Sequence, residues 1–156
     1  MEDLKATARA LAWVLGLGIN KVALVGLRAE VLSSDVVVKA MPELTAMDVT
    51  GVTVTGEELA KLLKAYPHLG LGDGGIKFDD ELKTDAFVEV VAKTRPWLTV
   101  IDLSRGHDVI TDSAVIQLAE KCPALTSIDL RACDKVTSKG VGALRSANPD
   151  IKIMGR

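Results

Sequence analysis

Aromatic residues are scarce in this 156-residue chain, at 3% of positions. Its core therefore has to be built from aliphatic side chains, which favours regular stacked layers over a globule anchored on a few large rings. Cysteine is nearly missing as well. Cys122 and Cys133, eleven residues apart, fit neither a zinc spacing nor a disulfide framework. Both are expected to be buried, reduced thiols in an intracellular protein, cytoplasmic unless it is imported into an organelle. The two histidines, His68 and His107, fall in different connecting segments and do not suggest a shared metal site. No Lys/Arg-rich block occurs and the net charge is -2, so neither a nucleic-acid backbone nor an anionic membrane surface is an expected partner. The apolar run over 10–18 is too short to span a bilayer. It follows Glu2, Asp3, Lys5 and Arg9 rather than a basic leader, so neither a signal peptide nor direct membrane insertion is expected.

What the chain does have is a period. Its five prolines, Pro42, Pro67, Pro96, Pro123 and Pro149, recur at separations of 25, 29, 27 and 26 residues. Twelve residues before each of the last four stands a threonine: Thr55, Thr84, Thr111 and Thr137. Leu59, Val88, Val115 or Val141 follows four residues later, and Leu62, Val91, Leu118 or Leu144 three beyond that. This spacing predicts a helix of about three turns, capped by the threonine or by the next residue (Gly56, Asp85, Asp112 or Ser138) and ended before the proline. Five residues after Pro42, Pro96 and Pro123 begin the alternating triplets Met47-Asp48-Val49, Ile101-Asp102-Leu103 and Ile128-Asp129-Leu130. Period two predicts strands. A β–α unit of this length cannot bury its apolar side alone, so the units must stack with strands in one parallel sheet and helices on the other side.

Two units depart from the pattern. The second carries the insertion Gly70-Leu71-Gly72-Asp73-Gly74-Gly75 before its triplet Ile76-Lys77-Phe78, which predicts a local bulge. The first has Val25-Gly26-Leu27 as its triplet and Ser33 at the threonine position. Leu4, Ala8, Leu11 and Leu15 ahead of it predict an N-terminal capping helix over 1–19, with the repeat array over 20–156. At the far end Ile151 and Ile153 begin a further strand, so the array is about five repeats with the last incomplete.

With these residues assembled, the chain resembles the cysteine-containing leucine-rich repeats of F-box and related proteins. The fourth repeat carries the likeness: Cys122-Pro123, Leu125, Ile128-Asp129-Leu130, Cys133, Val136-Thr137 and Gly140, with Ser138 where the family has aspartate. The third keeps Pro96, Leu98, Ile101, Leu103, Thr111 and Asp112, with Gly106 at the cysteine position. The resemblance implies a right-handed α/β leucine-rich-repeat solenoid, a short horseshoe with a parallel concave sheet and convex helices. It also implies a protein–protein interaction scaffold rather than an enzyme, or a subunit of a larger complex. Residues 1–20 are too few for an F-box. The alternative within binding is the substrate-recognition fragment of a ubiquitin-ligase-type protein.

In such a repeat the residues alternating with the buried strand positions face outward. Here these candidates for partner binding are Asp48, Thr50, Lys77, Asp79, Asp102, Ser104, Asp129 and Arg131, to which Trp97 is added as an aromatic anchor at a helix-to-strand turn. Strands about 4.8 Å apart would place Asp48, Lys77, Asp102 and Asp129 in one ladder, a mildly acidic strip. The reading of another class is a nucleotide-binding or hydrolytic enzyme using Gly70–Gly75 or the aspartate ladder. It is disfavoured, because the glycine run lacks a G-K-[ST] ending and no His, Lys or metal-ligand cluster converges on the strip. No catalytic residue, cofactor or metal site is assigned.

Overall fold

The computed structural model describes residues 21–23, 38–39, 45–51, 54–72 and 75–155. The expected capping helix over 1–19 and the triplet at 25–27 lie outside them. The described chain is α/β, with short parallel strands and four helices, and forms no closed barrel. Strands β1 (Lys21–Ala23), β2 (Ala46–Asp48) and β3 (Ile76–Lys77) form one small sheet; β4 (Val100–Asp102), β5 (Ser127–Asp129) and β6 (Lys152–Met154) form a second. Helices α1 (Gly56–Ala65), α2 (Asp85–Thr94), α3 (Asp112–Lys121) and α4 (Ser138–Ala147) pack in chain order, each on the next. None of these is long and apolar enough to cross a membrane.

β1 pairs with β2 in the register Val22 to Met47.

Each helix begins where the threonine predicts. The side chains of Thr55, Thr84, Thr111 and Thr137 accept a backbone N–H in the first turn, and Thr55 with Glu58 forms a capping box. The residues after the threonines do a different task in two repeats. Asp85 accepts from Thr111 N at 2.9 Å and its hydroxyl at 2.6 Å, and Asp112 accepts from Thr137 N at 2.8 Å and its hydroxyl at 2.6 Å. Each aspartate therefore holds the cap of the next repeat. Gly140 approaches this clamp so closely that a Cβ would lie 2.5 Å from Asp112 Oδ1.

Each helix ends at the residue before a proline: Tyr66, Arg95, Cys122 or Asn148. These positions also link neighbouring units. Arg95, fully buried, donates to the carbonyl oxygens of Leu63, Tyr66 and Leu69; Cys122 donates to Arg95 O at 3.5 Å, and Asn148 to Leu125 O at 3.0 Å. Burial lowers the Arg95 guanidinium to about 10 and pushes the Cys122 thiol up to about 11.

One apolar cluster joins inward strand residues (Met47, Ile76, Ile101, Ile128) with inward helix residues (Leu62, Val91, Leu118, Leu144). Burying each such side chain contributes roughly 1.5–3 kcal/mol, which is what holds the layers together. Cys133 is buried there and donates to Leu103 O at 3.1 Å. At the equivalent Gly106, a Cβ would meet Ile110 Cγ1 at 2.4 Å, so Ile110 fills the space of the missing side chain.

The glycine-rich insertion adds a rung between the two sheets. Leu71 makes parallel bridges to both Ile76 and Ile101. Its carbonyl accepts from Asp102 N at 2.9 Å, while Gly72 N donates to Ile76 O at 3.0 Å. Gly75 folds back beneath Gly70, so near that a Cβ would sit 2.2 Å from Gly70 O. The expected bulge is therefore an inserted strand position.

Candidate functional site

The inserted rung interrupts the expected aspartate ladder. Asp48 pairs in register with Lys77 and Asp102 with Asp129, but Leu71 and Gly72 stand between Lys77 and Asp102. Leu71 points inward and Gly72 offers no side chain outward. A Cβ on Gly72, whose φ is +128°, would lie 2.5 Å from Asp102 Cβ. The outer sheet face thus has a slot at this rung.

The aspartates are engaged by their own turns. Asp48 accepts from Thr50 N at 3.0 Å and Thr50 Oγ1 at 2.7 Å, Asp102 from Ser104 N at 2.8 Å and Asp129 from Arg131 N at 3.0 Å. Each ends a strand by accepting the N–H two residues on. Three residues after each aspartate the backbone turns left-handed, at Gly51 (φ 76°), Arg105 (φ 63°) and Ala132 (φ 56°). A repeated turn explains the repeated aspartate, so the strip is less acidic to a partner than the sequence suggests. Asp79 likewise accepts from Gly51 N, at 2.6 Å.

Around the slot lies a cavity of about 590 Å³. The structure gathers Thr50, Lys77, Asp79, Asp102, Ser104 and Arg131 onto its walls, with Phe78 and Phe87 among them in an edge-to-face pair 5.3 Å apart. Asp48 lies beside it, 3.6 Å from Lys77 Nζ, and Asp129 lies under Arg131, whose Nε and Nη2 donate to its carboxylate. Trp97 is not part of the cavity. It is exposed, and its indole N–H donates to Pro67 O at 3.4 Å.

Three charged wall residues are not anticipated by the sequence reading: Asp80, Lys83 and Arg105. Lys83 corrects the expectation that no lysine converges on the strip. It is 8% exposed, and its ammonium meets Asp80 Oδ1 at 2.8 Å, Ser104 O at 3.0 Å and Asp102 Oδ1 at 3.7 Å. The signal was present. Lys83 precedes the cap Thr84 just as Val54, Ile110 and Val136 precede theirs, a charge at an otherwise aliphatic position. Two of these equivalents, Ile110 and Val136, are core residues, whereas Lys83 carries its charge out to the cavity wall.

The charges couple across the site. The Lys83 hydrogen bond, aided by Arg105, holds the Asp80 carboxyl below its ordinary range against a smaller burial effect. Burial acts to raise Asp129, but the Arg131 hydrogen bonds and the charges of Arg131 and Lys83 outweigh it and leave the carboxyl lowered. Lys83 has three ammonium protons facing three oxygens, which suits it to bracing the wall rather than to nucleophilic attack. Among the described residues, no group of three or more His, Cys, Asp or Glu is placed to hold a metal ion. No protein-family model matches the chain.

Proposed function

We propose that this chain is a non-enzymatic protein-recognition module, a short leucine-rich-repeat solenoid that binds a partner with its concave sheet face. The observation that carries this reading is the polar cavity on the outer sheet face, built from turns that recur in successive β–α units. Its size suits a few side chains of a partner, and its walls are braced before anything binds. The right-handed horseshoe of about five repeats rests on the parallel strands, the helices packed in order and the links between successive caps. A scaffold or subunit of a larger intracellular complex is the role that fits such a surface. The engaged ammonium of Lys83 supports the non-enzymatic reading.

The test is affinity capture from the source cell, comparing the wild-type chain with Lys77→Glu on the sheet face and with Lys93→Glu on the outer helix face. Loss of one set of proteins with the first variant alone supports recognition by the sheet face. Loss with the second alone moves recognition to the helices.

A further inference from the structure

We propose that the junction between the two sheets is a hinge, and that Lys83 and Arg105 form the latch that holds it shut. The inference concerns motion within the chain and stands whatever the sheet face binds.

The two sheets are thinly joined. β4 and β5 pair over three residues, as do β5 and β6, whereas the rung between β3 and β4 is Leu71 alone, in isolated bridges to Ile76 and Ile101. Few backbone bonds carry it: Ile76 N to Gly70 O at 2.8 Å, Gly72 N to Ile76 O at 3.0 Å and Asp102 N to Leu71 O at 2.9 Å. Glycine flanks Leu71 on both sides, at Gly70 and Gly72, so the rung has no outward side chains to pack and a backbone that is easily turned.

The helical layer is fastened across the same boundary. Arg95 at the end of α2 reaches the carbonyls that end α1, and Asp85 at the start of α2 holds the cap of α3. Rotation about that layer would part the sheets at Leu71 and leave the ladder within each sheet intact.

Side chains close the open side. Asp80 and Lys83 follow β3, in the turn Asp80–Leu82 and just after it, while Asp102 ends β4 and Ser104 and Arg105 follow it. Lys83 crosses to Ser104 O at 3.0 Å and to Asp102 Oδ1 at 3.7 Å; Arg105 crosses back to Asp80 Oδ2 at 3.4 Å. Asp80 Oδ1 also accepts from Lys83 at 2.8 Å, which joins the links into one chain. Each side supplies one cation and one carboxylate, so closure engages all four charges and opening leaves Lys83 with Asp80 alone. The links are unequal. The Lys83 side chain is 10% exposed and that of Arg105 73%, so water weakens the second far more than the first. Lys77, a further cation of the cavity, pairs with Asp48 inside the first sheet.

Amide hydrogen exchange of the labelled protein reads the hinge. Lys83→Met restores the apolar type found at Val54, Ile110 and Val136. In that variant the amides of Gly72 and Asp102 should exchange at least about tenfold faster, while Val49 and Leu130, bonded within the first and second sheets, change by no more than about twofold. Arg105→Gly, suited to the left-handed backbone there, should speed the same two amides by a smaller factor. Lys77→Ala should leave them unchanged.

An equal rise at all four amides in Lys83→Met would report lost stability without a hinge, and overturns the proposal. Unchanged rates at Gly72 and Asp102 in both latch variants overturn it too. So does a rise in Lys77→Ala as large as that in Lys83→Met. If Lys83→Met does not fold, Arg105→Gly decides by the same comparison of the four amides.

Discussion

The guanidinium of Arg95 lies against the carbonyl of Leu63, reaching it from Nε at 3.2 Å and Nη2 at 3.0 Å across a helix–helix boundary. Nη2 also donates to Tyr66 O at 2.5 Å, and Nη1 to Leu69 O. The end of α1 would otherwise leave these carbonyls in an apolar layer. The cation satisfies them together, which outweighs the cost of burying it.

Arg95→Ala is therefore expected to destabilise the chain by about 3–4 kcal/mol, since it leaves several buried carbonyls without donors. Arg95→Lys should recover less than half of that, because one ammonium cannot span the same fork. Urea denaturation measures both, and a loss below about 1 kcal/mol for Arg95→Ala would contradict this account.

The clamp between Asp112 and Thr137 makes a prediction about acid. The Thr137 side-chain and backbone hydrogen bonds hold the Asp112 carboxyl below its ordinary value of 3.8, with Gly140 N and Lys139 adding to the effect against burial. A lowered folded value means that the unfolded chain takes up the proton first. The contribution is then complete above pH 4 or so and lost as pH falls through the folded value. Asp112→Asn should flatten that part of the stability–pH curve and lower stability at pH 7 by about 1–2 kcal/mol. An unchanged acid slope would show that the clamp carries no linkage.

Ala132 is held at φ 56° in the turn after β5, and glycine is at ease there. Ala132→Gly is expected to raise the thermal midpoint slightly or leave it unchanged, because release of about 1 kcal/mol of left-handed strain offsets the greater freedom of the unfolded chain. Gly72→Ala, by contrast, should lower stability by about 2 kcal/mol or more, given its φ of +128° and a Cβ 2.5 Å from Asp102 Cβ. Thermal melts of the pair check the contrast. A tolerated alanine at Gly72 would sink the slot geometry.

Cys122 and Cys133 are both buried, and burial raises the Cys122 thiol to about 11. At pH 8 the folded chain should alkylate at Cys122 far more slowly than the unfolded chain. Because the folded value is raised, the stability tied to this thiol is complete below its ordinary pKa of 9.0 and fades as pH rises through about 11. Mass spectrometry after a timed iodoacetamide pulse measures the reactivity, and equal rates in the folded and urea-unfolded protein would contradict the burial.

The period was legible in the sequence because its signals are local. Proline ends a helix by chain sterics, threonine caps one within its own first turn, and apolar spacing follows the geometry of one element. Those rules placed four helices and the strands at Met47, Ile101 and Ile128. They did not mark the strand at Lys21–Ala23, which its pairing with β2 shows.

The site was less legible because it depends on what faces what. The sequence set the aspartates at outward positions, yet only the folded turns show that Asp48, Asp102 and Asp129 accept their own backbone N–H groups. The Gly70–Gly75 stretch announced an irregularity, but its consequence, a side-chain-free rung between Lys77 and Asp102, needs the long-range bridges made by Leu71. Lys83 stood out in one dimension as a charge at an aliphatic position. Its amine meets Asp80 within its own turn, but that it also meets Asp102 and the Ser104 carbonyl was decided by tertiary structure, because partners about twenty residues distant in the chain are brought together by stacking and not by spacing.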